Sequence, residues 1–393
     1  MRPLDGVTIL DLTRLLPGGL CTLLLADLGA DVIKVEEPGT GDHFRQHPPF
    51  QDGVSTIHLL LNREKRSLAV DLKQPKGKKI LEQLVSGADV LVESFRPGVM
   101  DRLGMGCGEM CTLNPRLVYC SITGFGQESP NRGRPGHDLD YTAMAGLLSL
   151  PIQTGAAPTP FGAPLADYAS AWAAALAIVA ALLARKQTGI GRTLDISLAD
   201  CAFACSHLAV CQQMGGITPK QDGAPFWGGA PYYRAYETAD GGHVTVSNYE
   251  PKFWRNLCEA LGWPDLAEAQ HAVGEERERI VRFLESTIRT RTRDEWAAFF
   301  QEHDCCGAVV NDTEGALREP QFRERGRVYW SERPGSGPVL QMASPLGGLE
   351  RPQGRPAPTL GQHTTEILCA LGYNGEVITQ LAAQGIVRED RGD

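Results

Sequence analysis

The chain has 393 residues, of which 42% are hydrophobic and 22% charged, and its formal net charge is −9. That length predicts roughly two to three domains' worth of structure with enough apolar material for a substantial core. The acidic balance excludes general affinity for nucleic acid, so any basic site must be local.

The opening stretch "MRPLDGVTILDLTR" has no apolar h-region and no run of arginines, so neither secretion nor organelle import is signalled, and a cytoplasmic location is expected. In chain order, "VTILDL" (7–12) predicts a strand and "GGLCTLLLADLGA" (18–30) a helix ending at Gly29. "DVIKVEE" (31–37) predicts a second strand. "PKGKKILEQLVSG" (75–87) has Pro75 where a helix begins, Ile80, Leu81, Leu84 and Val85 on one face, and Gly87 as a stop. "ADVLVESF" (88–95) and "RLVYCSITGF" (116–125) are two more strands. This alternation predicts parallel β-structure in a doubly wound α/β sheet.

A long helix begins near Asp167 and ends in "RKQTG", with basic residues in its last turn and Gly189 after it. Its apolar run, "AWAAALAIVAALLA" (171–184), is too short to span a bilayer and suits a buried core helix. "RTLDISL" (192–198) then predicts a strand and 199–214 a helix. A Gly/Pro-rich linker (215–230) leads to a small α+β domain over 231–318, in which two strands flank "ADGG" and Thr292 with Glu295 forms a capping box. A second linker (319–358) returns the chain to the first domain (1–214), which 359–393 complete. Arg391–Asp393 is expected to be a disordered tail. The eleven cysteines show no CxxC and read as small apolar residues in a reducing compartment, so no metal site is expected.

Three acid/base candidates stand at element ends: His137 with Asp138 in "GRPGHDLDYTAMAG", Asp167 in "GAPLADYAS", and Glu250 in "SNYEPKFW". Each has a structural alternative, because carboxylates suit helix starts and Asp138 would cap one. No GxGxxG follows the first strand, and the chain has no P-loop and no GxSxG elbow. Positive charge gathers in the first domain: Arg63, Lys65 and Arg66, then Lys73, Lys76, Lys78 and Lys79, then Arg96 and Arg102. This is either a solvated face or a site for a phosphorylated ligand held by charge-assisted hydrogen bonds.

Together the stretches "LDGVTILDLTRLLPGGLCTLLLADLGADVIKVEEP", "NREKRSLAVDLK", "ADVLVESFRPGVMDRLGMG", "SITGFGQ", "GHDLDY", "LADYAS", "GAPYYRAYETADGGHVTV", "EPKFW" and "LGQHTTEILCALGY" resemble the family III CoA-transferase superfamily, and within it the α-methylacyl-CoA racemase branch. The resemblance covers nearly the whole chain. It implies a Rossmann-like large domain, a smaller α+β domain and an interlocked homodimer. The site would lie between the large domain of one chain and the small domain of the other. His137 and Asp167 would then come from one subunit and Glu250 from its partner, with no nucleic acid or membrane involved.

In the transferases of this superfamily the aspartate matching Asp167 forms an anhydride and then an aspartyl-CoA thioester, and the position matching His137 is usually aromatic or otherwise non-basic. Racemases carry the GHD, the aspartate and the glutamate, as this sequence does. The resemblance therefore implies inversion of the α-carbon of a 2-methylacyl-CoA thioester by 1,1-proton transfer. The alternatives are a CoA-transferase with Asp167 as nucleophile, and a CoA-ester binding protein without turnover. Proton transfer on two faces of an enolate needs two groups that exchange acid and base roles. His137 supported by Glu250 would serve one face, and Asp167 with Asp138 the other. Backbone N–H groups at the start of the Asp167 helix are expected to form an oxyanion hole. Arg63, Arg66, Arg96 and Arg102 would hold the CoA phosphates, with no cofactor beyond the CoA moiety of the substrate. Two features depart from the racemase pattern: Ser247, Asn248 and Tyr249 precede the "EP", the asparagine being a transferase trait, and Glu37 stands where some racemases place a CoA-binding arginine.

Overall fold

A computed structural model describes residues 1–150, 158–217, 225–333, 335–346 and 354–390. Parts of both expected linkers (218–224, 334 and 347–353) and the tail Arg391–Asp393 lie outside the described residues. The chain forms two units. The first is built from Met1–Ala145, Phe161–Cys205 and the described part of Pro320–Asp393.

Seven strands form the sheet of the first unit: β1 (Thr8–Leu12), β2 (Asp31–Glu36), β3 (Lys65–Val70), β4 (Val90–Glu93), β5 (Val118–Thr123), β6 (Arg192–Ser197) and β7 (Val387–Arg388). Their order is β7-β3-β2-β1-β4-β5-β6, parallel except for β7, which pairs antiparallel along the outer edge of β3. Order 3-2-1-4-5-6 is that of a doubly wound dinucleotide-binding fold, and it puts the topological switch between β1 and β4. The expected Rossmann-like large domain is thus present, and its C-terminal segment supplies an edge strand as well as helices.

Alternate side chains of β1 go to opposite faces. Leu10 and Leu12 join Ile33, Val35, Leu68 and Leu91 under helix α2 (Pro75–Gly87), whose Ile80, Leu81, Leu84 and Val85 are buried, as its periodicity predicts. Asp11 goes to the other face, where α1 (Leu15–Asp27) packs on α5 (Leu165–Thr188). Buried charge there is paired: Lys65 Nζ meets Asp11 Oδ2 at 3.0 Å and also reaches Thr22, Asn62 and the Gly19 carbonyl. Burial alone would raise the Asp11 carboxyl, but Lys34 and Lys65 outweigh it and hold it well below the carboxylate range.

Three sequence expectations are corrected. Lys65 and Arg66, read as part of a basic cluster, begin a strand, Lys65–Val70, with an almost wholly buried side-chain row. The helix expected over 199–214 is two helices, Leu198–Ala204 and His207–Met214, and the first unit ends at their junction rather than at 214. The apolar run 171–184 belongs to a 24-residue helix, α5, which is long and apolar enough in composition to cross a membrane. Its Ala166, Ala171, Ala174 and Ile178 are nonetheless packed within the first unit.

The second unit holds Ser206–Glu319 with residues 146–150 and 158–160. Its antiparallel sheet runs Gly307–Val309, His243–Ser247, Tyr233–Glu237, over a core that includes Trp254, Trp296, Ile280 and Leu284. The capping box is formed: Glu295 accepts the Thr292 N–H at 2.7 Å, and Thr292 Oγ1 accepts the Glu295 N–H at 3.3 Å.

Candidate active site

After β5 the chain turns through Gly124 and Phe125 and reaches Gly136, where Tyr141 of helix α4 (Asp138–Met144) folds back. The Tyr141 hydroxyl donates to the Gly136 carbonyl at 2.8 Å, and its ring meets Phe125 edge-on at 5.2 Å. A Cβ at either Gly124 or Gly136 would collide with Tyr141. This explains the glycine before His137: the ring needs bare backbone on both sides.

His137 is the residue before α4, exposed, with its N–H donating to Asp140 Oδ2 at 2.9 Å. Asp138 is the first helical residue, and its side chain reaches α5 rather than its own helix. Its Oδ1 accepts the N–H of Ala166 at 2.6 Å and of Asp167 at 3.2 Å. A carboxylate there satisfies two orphan donors of α5 and opposes the positive end of its dipole. Asp138 therefore fixes where Asp167 stands. It also consumes the N–H groups that the sequence reading assigned to an oxyanion hole, and that expectation is corrected.

Asp167, in the first turn of α5, is half-buried. Burial, with the Asp138 charge adding to it, pushes its carboxyl up to about 6, against an opposing effect of His137. The fold thus brings His137, Asp138 and Asp167 together. Glu250 lies in the second unit, exposed, directly before the helix Pro251–Ala260. The Gln270 amide holds the chain leading to it, donating to the carbonyls of Asn248 (3.0 Å) and Tyr249 (2.9 Å). Asn248 itself is buried and exchanges hydrogen bonds with the Cys306 main chain at 2.9 and 2.7 Å, so it helps build the second unit.

The four arginines divide. Arg63 is buried, paired with both oxygens of Asp27 and bonded to the Met342 carbonyl at 3.0 Å. Arg66 is held by Asp31 and Glu366, both at 3.0 Å. These two are structural ion pairs, which corrects their expected role on a phosphate. Arg96 is exposed on the loop after β4, and its charge acts on the Tyr141 hydroxyl. Arg102, in helix α3 (Val99–Arg102), is exposed and lines a cavity of about 340 Å³ beside the carboxyl ends of β1, β2, β3 and β4. Arg14, Glu37, Lys73 and Phe95 line it as well.

Arg14 is a site residue that the sequence reading missed. It stands two positions beyond β1 at the switch point, which is the positional signal that could have found it. Its guanidinium lies over the Phe95 ring, 5.4 Å from the centroid. Glu37 accepts the N–H groups of Gly39 and Gly41, both at 3.1 Å, and lines the same cavity as Arg14, Lys73 and Arg102. Among the described residues no three His, Cys, Asp or Glu side chains gather as metal ligands.

Comparison with known proteins bears out the motif resemblance. The family model for CoA-transferase family III matches residues 4–364. The chain is 34% identical over 397 residues to succinyl-CoA:glutarate CoA-transferase of Homo sapiens, covering 98% of this chain and 90% of that one. It is 33% identical over 395 residues to alpha-methylacyl-CoA racemase of the same organism, covering 99% and 98%. The crystal structure of a CAIB/BAIF family protein from Brucella suis matches with a TM-score of 0.82 at 28% identity, over 94% of this chain and 99% of that one.

Proposed function

This chain belongs to CoA-transferase family III, and from that premise we propose that it inverts the α-carbon of 2-methylacyl-CoA thioesters by 1,1-proton transfer between His137 and Asp167. One observation carries the reading: a carboxyl that holds its proton up to about pH 6 stands beside an imidazole at the start of α5. An imidazole can both accept and donate a proton, so the pair can exchange acid and base roles. One takes the α-proton, the thioester carbonyl carries the enolate charge, and the other returns a proton to the opposite face. Asp138 is then a positioning residue, not a proton carrier.

The CoA nucleotide goes to the cavity at the switch point, its phosphates met by Arg14, Lys73 and Arg102, where open α/β sheets place their ligands. No cofactor beyond the CoA moiety is required. A homodimer is part of the proposal, with Glu250 supplied by a second copy. In its support, α5 leaves Trp172, Leu176 and Leu183 exposed on its outer side, 72% in the case of Leu176. The identity with the glutarate transferase favours a second reading, in which Asp167 attacks the thioester and carries CoA to a free acid.

The test is incubation with one epimer of a 2-methylacyl-CoA in deuterium oxide without an acceptor acid, following α-deuterium and epimer ratio. The expected result is deuterium uptake with epimerisation, lost in His137→Ala and Asp167→Ala. Absence of exchange, with CoA moving to an added free carboxylic acid, would replace this reading by the transferase one.

A further inference from the structure

Among the described residues, the first unit holds a smaller cavity, of about 190 Å³, that the mechanism does not use. Its walls come from the hairpin 50–55, the helix Thr56–Leu61, the returning segment 357–360 and Arg333. Arg45, His58 and Arg333 line it, and no carboxylate is among the lining residues. Donors crowd this space. Asn62 donates to His58 Nδ1 at 3.0 Å, so the ring proton sits on Nε2 and goes to the Pro358 carbonyl at 3.1 Å. Arg45 Nη1 donates to the same carbonyl at 3.0 Å. Burial, with the Arg45 charge adding to it, holds His58 neutral.

The two arginines differ in what answers their charge. Glu36 neutralises Arg45, taking its Nε and Nη2 at 2.7 Å each. Arg333 has no such partner among the described residues, and its Nη1 is buried without any hydrogen bond. A water molecule would satisfy that N–H and leave the charge unanswered, whereas an oxyanion satisfies both. We propose that this cavity is a binding site for a compact oxyanion, a phosphate or carboxylate group held by Arg333 beside Arg45. Its volume is below the ~300–1,000 Å³ of pockets for drug-sized ligands, so the occupant is small. The site shares no lining residue with the larger cavity at the switch point. One ion pair links the two, because Glu36, which holds Arg45, also lines the larger one.

The experiment follows thermal unfolding of the full-length protein against rising inorganic phosphate and, separately, acetate, for wild type, Arg333→Gln and Arg102→Ala. An anion that binds only the folded state raises the melting temperature with its concentration. Wild type should respond to at least one of the two, and the one it answers identifies the oxyanion. In Arg333→Gln the apparent affinity should fall roughly tenfold or more, as for a lost charge-assisted hydrogen bond. Arg102→Ala, altered at the larger cavity, should respond as wild type does. The general stabilisation by phosphate as a kosmotrope is common to all three proteins and cancels. Without either anion, Arg333→Gln should be no less stable than wild type, since it removes an unanswered charge. Equal responses of wild type and Arg333→Gln to both anions would overturn the proposal, as would a response that Arg102→Ala abolishes. Neither result bears on the acyl-CoA reading.

Discussion

Replacing Asp167 by asparagine should stop turnover and make the protein more stable. The folded state raises this carboxyl from 3.8 to about 6, chiefly by burial and then by the Asp138 charge. Folding therefore favours its protonated form, and the cost of ionising it accumulates as the pH rises from about 4 to 6 and is complete above that. A shift of roughly two units corresponds to about 3 kcal/mol. Partial exposure of the site screens it, so about 1–2 kcal/mol is expected. Asparagine keeps the shape and never ionises. Its advantage over wild type should be absent near pH 4 and reach a plateau above pH 6, or roughly 2–8 °C in melting temperature. Thermal unfolding followed by circular dichroism from pH 4 to 8, with the deuterium assay on the same samples, reads both effects. A gap that is equal at pH 4 and pH 8, or a variant that is less stable at pH 8, would refute the reasoning.

Asp138→Ala should orphan the Ala166 and Asp167 N–H groups and cost about 1–2 kcal/mol in urea unfolding. Loss of the Asp138 charge should also move the acid limb of the rate profile to lower pH. Arg63→Ala should leave Asp27 buried and unpaired, lowering the urea-unfolding free energy by about 3–5 kcal/mol with KM for the CoA thioester unchanged. Arg102→Ala should do the reverse, raising KM roughly tenfold or more with an unchanged unfolding midpoint, as expected for a lost charge-assisted contact to phosphate.

Where local chemistry decides an element, it can be read from sequence: helix Pro75–Gly87 was bounded by its own proline and glycine, and the Thr292 capping box by residues three apart. The candidate site residues His137, Asp138 and Asp167 were legible as residue types. What Asp138 does was not, because its partners are main-chain N–H groups 28 and 29 residues away. Strand β3 was hidden for a related reason. Lys65 and Arg63 read as surface charge until Asp11 and Asp27, 54 and 36 residues earlier, are seen to neutralise them in the interior. Arg14 carries no motif, and only the strand order, which makes the ends of β1 and β4 neighbours, gives it a place.

The pairing of β7 with β3 has a consequence for how the protein is made. Val387 and Arg388 cover the edge of Val70 and Ala69, yet they leave the ribosome roughly 300 residues later. At typical rates of synthesis, about 5–20 residues per second, that edge stays open for some 15–60 seconds. During this interval the nascent chain presents an apolar, half-paired strand of the kind that recruits other strands. Val387 and Arg388 therefore act as a late closure of the sheet, reaching an edge strand made long before them.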